Sequence, residues 1–320
     1  MPGEFRLYRS LEEAGGGFGP CALSVGVFDG VHCGHRRILR RVAALAAERG
    51  WKPAAMTFDP HPAAVVAPSR APRLLTTPEE RAGLIRQEGI AQVLVVPFTV
   101  EFSRLSPEVF VRRVLRELLD ARAVLVGHNF RFGYRHAGDT HLLEELGRRY
   151  GFLTEVIPAV RRRGRTVSSS EVRRLIEAGE VAKAARLLER PHGMGGEVVP
   201  GHGVGARLTV PTLNLAPGDT VLPARGVYIT RTCWREASWQ ASVTNVGYRP
   251  SFAGRTLAVE THLLEGLEGS PPQRIRVEFL RRLRDERKFP NPAELKAQIL
   301  RDAARARRYF RQLAARRSAC

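Results

Sequence analysis

With 320 residues and 43% hydrophobic content, the chain has room for two ordinary domains that each bury a core without staples. Its cysteines, Cys21, Cys33, Cys233 and Cys320, are too scattered for a disulfide framework, and no apolar run reaches membrane-spanning length. A net charge of +19 invites a nucleic-acid reading, but the basic residues are nearly all arginine and spread along helical segments, so no specific nucleic acid is expected. Residues 1–19 carry Glu4, Glu12 and Glu13 without an apolar stretch, so a cytoplasmic chain with no membrane partner is expected.

The first strong signal is a valine-rich apolar run, Ala22 to Phe28, followed by Ile38, Leu39, Val42, Leu45 and Ala46 at helical spacing. This predicts a buried parallel strand, a tight turn and an amphipathic helix. A turn at the carboxyl end of such a strand opens where doubly wound sheets bind ligands, and the helix start offers unpaired N–H groups to an anion. Phosphate is the expected guest. His32 and His35, three residues apart, fall on nearly one face at the positive end of the helix dipole and can donate to phosphate oxygens. Either histidine alone reads equally well as polar punctuation. A zinc site from His32, Cys33 and His35 lacks a companion Cys-x-x-Cys or second histidine pair.

Pro53 to Asp59 reads as a second strand, ended by Phe58-Asp59-Pro60-His61-Pro62, whose prolines hold the segment extended. A helix over Pro78 to Glu88 has Thr77 as N-cap and Pro78 at its first position. A third strand spans Ala91 to Phe98, and Ser106-Pro107 opens a helix with apolar Val109, Phe110, Val114, Leu115 and Leu118. Ala123 to Val126 is a strand running into the polar, glycine-flanked segment Gly127 to Gly133, in which Phe130 and Phe132 could also serve as core plugs. Leu142 to Tyr150 is a helix and Leu153 to Ile157 a last strand. The alternation predicts an open, mostly parallel sheet. Arg161, Arg162, Arg163 and Arg165 then precede Ser168-Ser169-Ser170. Ser168 or Ser169 is expected to cap a helix through Ala178, and the hydroxyls, free N–H groups and Arg173 one turn in could together grip a triphosphate.

Val181 to Leu188 is a short helix, and Glu189 to Gly193 begins a linker. Beyond Glu197 come short β-like runs at 221–222, 226–233, 238–246, 257–264 and 274–280, separated at hairpin spacing, which predicts a small antiparallel barrel. A final helix from Pro292 to about Ala315 places Leu295, Ile299, Ala303, Ala306, Phe310 and Leu313 on one stripe. Gly201, Gly203 and Gly205 form a glycine-rich loop, and no Walker A or dinucleotide-binding motif occurs.

Gly26-Val27-Phe28-Asp29-Gly30-Val31-His32-Cys33-Gly34-His35 resembles the long form of the His-x-Gly-His signature found in bacterial bifunctional riboflavin kinase/FMN adenylyltransferases. Phe58 to Pro62, the Gly127 to Gly133 element and Val167 to Arg173 resemble further elements of the adenylyltransferase module. The order Pro211 to Asn214, Gly226 to Tyr228, Asn245 to Gly247, Val259 to His262 and Arg284 to Phe289 is similar to the riboflavin kinase module. Thr209-Val210 stands where the family usually has Gly-Phe, and Leu188-Glu189-Arg190-Pro191-His192 where it has Leu-Gly-Arg-Pro-Tyr.

The resemblance implies a Rossmann-like nucleotidyltransferase domain over 1–188 and a barrel kinase domain with a C-terminal helix over 189–320. It implies a transferase that phosphorylates riboflavin to FMN and adenylylates FMN to FAD, with ATP as co-substrate and Mg²⁺ as cofactor; riboflavin, FMN, FAD and ATP are its small-molecule partners. For adenylylation it points to His32, His35 and Arg173 as catalytic. Gly26, Phe28, Asp29, Gly30, Gly34, Ser168, Ser169 and Ser170 would bind ATP, and Phe58, His61 and Asn129 flavin. For phosphorylation it points to Glu260 as base, Thr212 and Asn214 at the metal, and Gly201, Gly205 and Asn214 at the phosphates. Two rival readings are an adenylyltransferase with an impaired kinase domain and a basic RNA-binding protein.

Overall fold

The computed structural model describes residues 4–199, 212–216, 218–234, 238–251, 254–267 and 269–318. The chain forms two compact units, Met1–Ser169 and Ser170–Cys320.

Unit one is built on a six-stranded, all-parallel sheet: β1 (Arg6–Tyr8), β2 (Cys21–Val25), β3 (Lys52–Asp59), β4 (Gln92–Pro97), β5 (Ala121–Gly127) and β6 (Leu153–Ile157), in the order β1-β4-β3-β2-β5-β6. Side chains alternate between the faces, so each strand feeds two cores. Leu23, Met56, Leu94, Val96, Val124 and Val126 meet Phe110, Val114 and Leu143 on one side. Ala22, Ala55, Val93, Val95, Ala123 and Leu125 meet Ile38, Leu39, Val42 and Ile85 on the other. The chain leaves β2 toward β3 and β4, and later returns to β5 on β2's other flank. The order therefore reverses between β2 and β5, which is where such sheets open a ligand crevice.

Helix α1 (Cys33–Arg49) packs its apolar stripe on the second face. Helix α2 (Pro78–Arg86) starts in a full capping box between Thr77 and Glu80. Pro107–Val109 continues as Phe110–Leu118 in the wider i→i−5 winding, ending with Leu119 N on Val114 O at 3.1 Å. Helix α3 (Thr140–Tyr150) precedes β6. A two-stranded hairpin, β7 (Arg161–Arg162) and β8 (Arg165–Thr166), follows. In sequence it shows only as an arginine run.

Unit two holds α4 (Ser169–Glu177) from Ser170 onward, α5 (Val181–Leu188) and a closed barrel. The barrel strands are β9 (His192–Val199), β10 (Leu213–Leu215), β11 (Gly226–Cys233), β12 (Gln240–Ser251), β13 (Gly254–Leu263) and β14 (Arg274–Arg284), closed in the order β10-β13-β12-β11-β14-β9. Two expectations need correcting. The linker segment at His192-Gly193 is already barrel: Gly193 pairs with Glu278, and the buried His192 ring stacks on Phe279 with Nε2 2.9 Å from Val221 O. Residues 221–222 are buried but form no strand.

The barrel interior is half oily and half alcoholic. Tyr228, Val246, Val259, Leu263, Val277 and Phe279 fill one part. Thr232, Ser242, Thr230, Thr244 and Thr261 form an unbroken row of hydroxyls, linked in that order at 2.9, 2.8, 2.7 and 2.9 Å. All five side chains are sealed from solvent. Helix α6 (Pro292–Ser318) covers the outer face, with Ala303 and Ala306 against Val227, Ile229 and Val243. Its predicted stripe also carries buried Gln298 and Asp302, and Asp302 accepts from Arg284 Nε at 2.8 Å.

Candidate active sites

The crevice in unit one is made by the turn after β2. Phe28, Gly30 and Val31 all take positive φ, 52°, 78° and 39°. For a β-branched valine that is a strained conformation, which persists only where its surroundings over-determine it. The clamp is Asp29, whose buried carboxylate accepts from Leu75 N at 3.0 Å and from Thr76 N and Oγ1 at 3.1 Å. Gly30 N in turn donates to Thr76 Oγ1 at 3.1 Å. Asp29 thus faces protein donors and sets the shape of the turn.

The turn delivers the two histidines together. His32 is the N-cap of α1, its Nδ1 accepting from His35 N at 3.3 Å. The rings stack at 3.7 Å with 19° between planes, and Phe28 meets His35 edge-on at 5.2 Å. Gly34 allows this, because a Cβ there would lie 3.0 Å from the His32 ring, and Gly26 likewise leaves room for the Phe28 ring. Burial, then the charges of His32 and Arg81, hold the His35 imidazole well below its ordinary range, so in the free protein its ring is neutral.

Arg81 was not singled out in the sequence. It lies on the inner face of α2, fully buried, and its Nη1 donates to Thr57 Oγ1 at 3.1 Å and Phe58 O at 2.9 Å. Thr57 Oγ1 donates onward to Val27 O at 2.8 Å. A buried guanidinium therefore braces β3 against the turn. The available signal was an arginine at an apolar position of a helix, flanked by Ala82 and Ile85.

The flavin candidates divide. Phe58 is buried and begins a chain of aromatic contacts through Phe98, Phe102, Phe110 and Phe132 to Phe130, with centroids 5.4 to 6.1 Å apart. Phe132 is a core plug, and Phe98, Phe102 and Phe130 are half-exposed along the ridge. His61 caps a short helix through Nδ1 on Ala63 N at 3.1 Å. Asn129 is exposed, its Oδ1 folded back over Gly127. Ser169 donates to Asp29 O at 2.9 Å, tying the serine cluster to the turn. Ser168 is half-buried and Ser170 exposed, and Arg173 stands one turn along α4.

In the barrel, Asn214, Glu260 and Asn245 lie side by side in register on β10, β13 and β12. Asn214 is buried, while Glu260, Asn245 and Thr212 are half-buried. A Cβ on Gly247 would fall 2.2 Å from Glu286 Oε1, so Gly247 is the notch through which the Glu286 carboxylate reaches the Asn245 amide's neighbourhood. Glu286 belongs to the predicted Arg284 to Phe289 element and adds a second carboxylate to this row. Gly201, Gly205, Thr209 and Val210 lie outside the described residues.

The FAD synthetase family model matches residues 18–171 and the riboflavin kinase model residues 188–310. The chain is 33% identical over 290 residues to the bifunctional riboflavin kinase/FMN adenylyltransferase of Escherichia coli K12, covering 91% of this chain and 93% of that one. It belongs to the bifunctional riboflavin kinase/FMN adenylyltransferase family. The Pseudomonas fluorescens member is 35% identical over 288 residues, 90% of this chain and 92% of its own. A crystal structure titled macrolide-efflux protein, from Streptococcus pneumoniae, shares the fold at TM-score 0.84 and 24% identity, over 95% of this chain and 98% of that chain. Membership makes the chain an ATP-using transferase of the flavin pathway and agrees with the sequence resemblance in both halves. Among the described residues no helix is long and apolar enough to cross a membrane.

Proposed function

We propose that this chain phosphorylates riboflavin to FMN with Glu260 as base, and adenylylates FMN to FAD at the histidine turn, the first step in residues 189–320 and the second in residues 1–188. The carrying observation is that each unit assembles a separate constellation suited to one step: stacked His32 and His35 at a helix mouth in one, and the Asn214, Glu260, Asn245 row in the other.

Adenylylation asks for little proton chemistry. The FMN phosphate is already anionic, attacks the α-phosphorus of ATP and expels pyrophosphate, so the protein must align the two anions and stabilise the charge. His32 and His35, stacked at the mouth of α1, supply donors at the positive end of the helix. Ser169, pinned to Asp29 O, and Ser168 beside it add hydroxyls for the triphosphate, and the resemblance also assigns Ser170 and Arg173 to that role. The ridge from Phe58 to Phe130, with His61 and Asn129 beside it in sequence, offers an apolar surface for the flavin ring.

Phosphorylation begins from a neutral alcohol. Its oxygen attacks the γ-phosphorus, ADP leaves, and the hydroxyl proton passes to the Glu260 carboxylate. The Thr212 hydroxyl and Asn214 amide oxygen are hard donors of the kind Mg²⁺ takes. Mg²⁺ would supply charge neutralisation on the substrate phosphates. The half-burial of Glu260 and the in-register Asn214 favour an intact kinase over the impaired alternative. A cytoplasmic location goes with substrates of this kind.

The test is chromatography of products from riboflavin, ATP and Mg²⁺. Wild type should yield FMN and then FAD. His32→Ala and Arg173→Ala should lower FAD formation by about 10²-fold or more while sparing FMN formation, and Glu260→Gln should do the reverse. Equal damage to both activities in folded variants would overturn the division of labour.

A further inference from the structure

The hairpin β7–β8 has no part in the scheme above. It places Arg161, Arg162, Arg163 and Arg165 within five residues, all exposed, and no acidic residue occurs from Ile157 to Ser170. The hairpin is rigidly built. Arg162 pairs with Arg165 across a two-residue loop whose members, Arg163 and Gly164, both take positive φ, 50° and 79°. Arg161 Nη2 donates to Gly164 O at 2.8 Å, and Val167 N closes the base on Val160 O at 2.9 Å. A tight loop of this kind favours Asn or Asp before the glycine. Here the strained position holds an arginine, which costs backbone energy and adds positive charge.

Both roots of the hairpin attach to crevice loops. On one side, the carbonyl of Ile157 accepts from His128 N at 3.1 Å, in the loop after β5. On the other, Ser169 Oγ donates to Asp29 O in the turn after β2. Those two loops flank the point where the strand order reverses. Four guanidiniums thus stand at the rim of the crevice without belonging to its floor.

We propose that this hairpin is an electrostatic rim that gathers phosphorylated substrates, ATP and FMN, at the N-terminal crevice and acts on their binding instead of on the chemical step. The inference rests on the adenylylation reading above. Positive charge at the mouth of a cleft raises the local concentration of anions, and the effect decays with ionic strength. Riboflavin is uncharged, so its use by the kinase step is an internal control.

The test compares wild type with two fourfold variants, in which Arg161, Arg162, Arg163 and Arg165 are all replaced by Gln or all by Lys. At low ionic strength the Gln variant should show KM values for ATP and FMN in FAD formation raised about tenfold, with kcat within about twofold, and the gap should close near 0.5 M KCl, about where screening is complete. The Lys variant should track wild type, and KM for riboflavin should not move in any of them. Unchanged KM values in the Gln variant overturn the proposal, as does a loss in kcat that persists at high salt. A Lys variant as impaired as the Gln variant overturns it too, since charge would not be the cause. Weakened binding of a short single-stranded RNA by the Gln variant, with its KM values intact, would assign the hairpin to nucleic acid instead. Absence of FAD formation by wild type would strike the adenylylation reading itself, a result distinct from all of these.

Discussion

His35 shows how a site residue can be tuned before any ligand arrives. Its Nδ1 is buried with no hydrogen-bond partner among the described residues, and its ring is stacked on His32. Burial comes first and the charges of His32 and Arg81 second in pushing its protonation well below the ordinary value of 6.5. Above 6.5 both folded and unfolded chains hold the ring neutral, and the full stability is present. As pH falls below that value the unfolded chain takes up a proton that the folded chain refuses, so stability is lost toward the folded value. The urea midpoint of the N-terminal unit is expected to fall between about pH 7.5 and about pH 5.5, and the dependence should flatten in His35→Asn. An unaltered slope in that variant would remove His35 as the cause. A neutral, under-bonded imidazole at the head of a helix is also poised to take a hydrogen bond to phosphate when the anion enters.

At the scale of elements, the turn after β2 and the hydroxyl row carry separate tests. Gly30 sits at φ 78°, and a Cβ there would lie 2.6 Å from Leu75 Cδ1. Gly30→Ala combines a left-handed alanine with an overpacked contact and should cost about 1–3 kcal/mol, read as a lower melting temperature and a loss of FAD formation with FMN formation retained. In the barrel, Thr230 bonds both Ser242 and Thr244, whereas among the described residues Thr232 bonds Ser242 alone. Thr230→Val should therefore lower the urea midpoint more than Thr232→Val, by about 1–3 kcal/mol for a buried hydroxyl left short of a partner. Equal effects would mean that the row is not continuous in solution.

The same elements show what could be read from residues alone. Runs with a clear period, such as Leu153–Ile157 and Val181–Leu188, were legible to their ends, and the glycine-bounded turn with its two histidines pointed to the crevice. Arg81 left only a faint signal, because periodicity counts an arginine as a break in the apolar face and carries no information on a guanidinium bracing strand ends. Asp29 was legible as a motif position but not as a clamp, since its partners lie 46 and 47 residues away. The barrel row escaped notice because threonines and serines on β-strands register as ordinary propensity until neighbouring strands bring them within bonding distance. β9 escaped as well: Pro191-His192-Gly193 carries a linker's composition, and only closure of the barrel turns it into a strand.

For the whole molecule, the question is where one half ends. Residues 189–320 were expected to hold the kinase half, yet Val181 on α5 belongs to the barrel's own core, and Gly179, at φ 74°, packs against the Tyr228 hydroxyl and the Arg282 guanidinium, with a virtual Cβ 2.9 Å from each. Within unit two, Ala224 N also donates to Ile176 O. Cutting after Leu188 strips these contacts from the barrel. A fragment of residues 170–320 is expected to melt cooperatively and at a higher temperature than one of residues 189–320, as read by circular dichroism. Equal melting would leave the shorter boundary standing.

The alcohols inside the barrel have a further property. Five hydroxyls joined by four links hold five hydrogens, of which four lie between neighbours and one points out of the row, from whichever hydroxyl accepts without donating to a neighbour. Every link on either side then points toward that hydroxyl, so moving the spare hydrogen from Thr232 to Thr261 requires every rotor to turn. An acceptor beside any one of the five hydroxyls would therefore set the orientation of all of them, across strands β11, β12 and β13 at once.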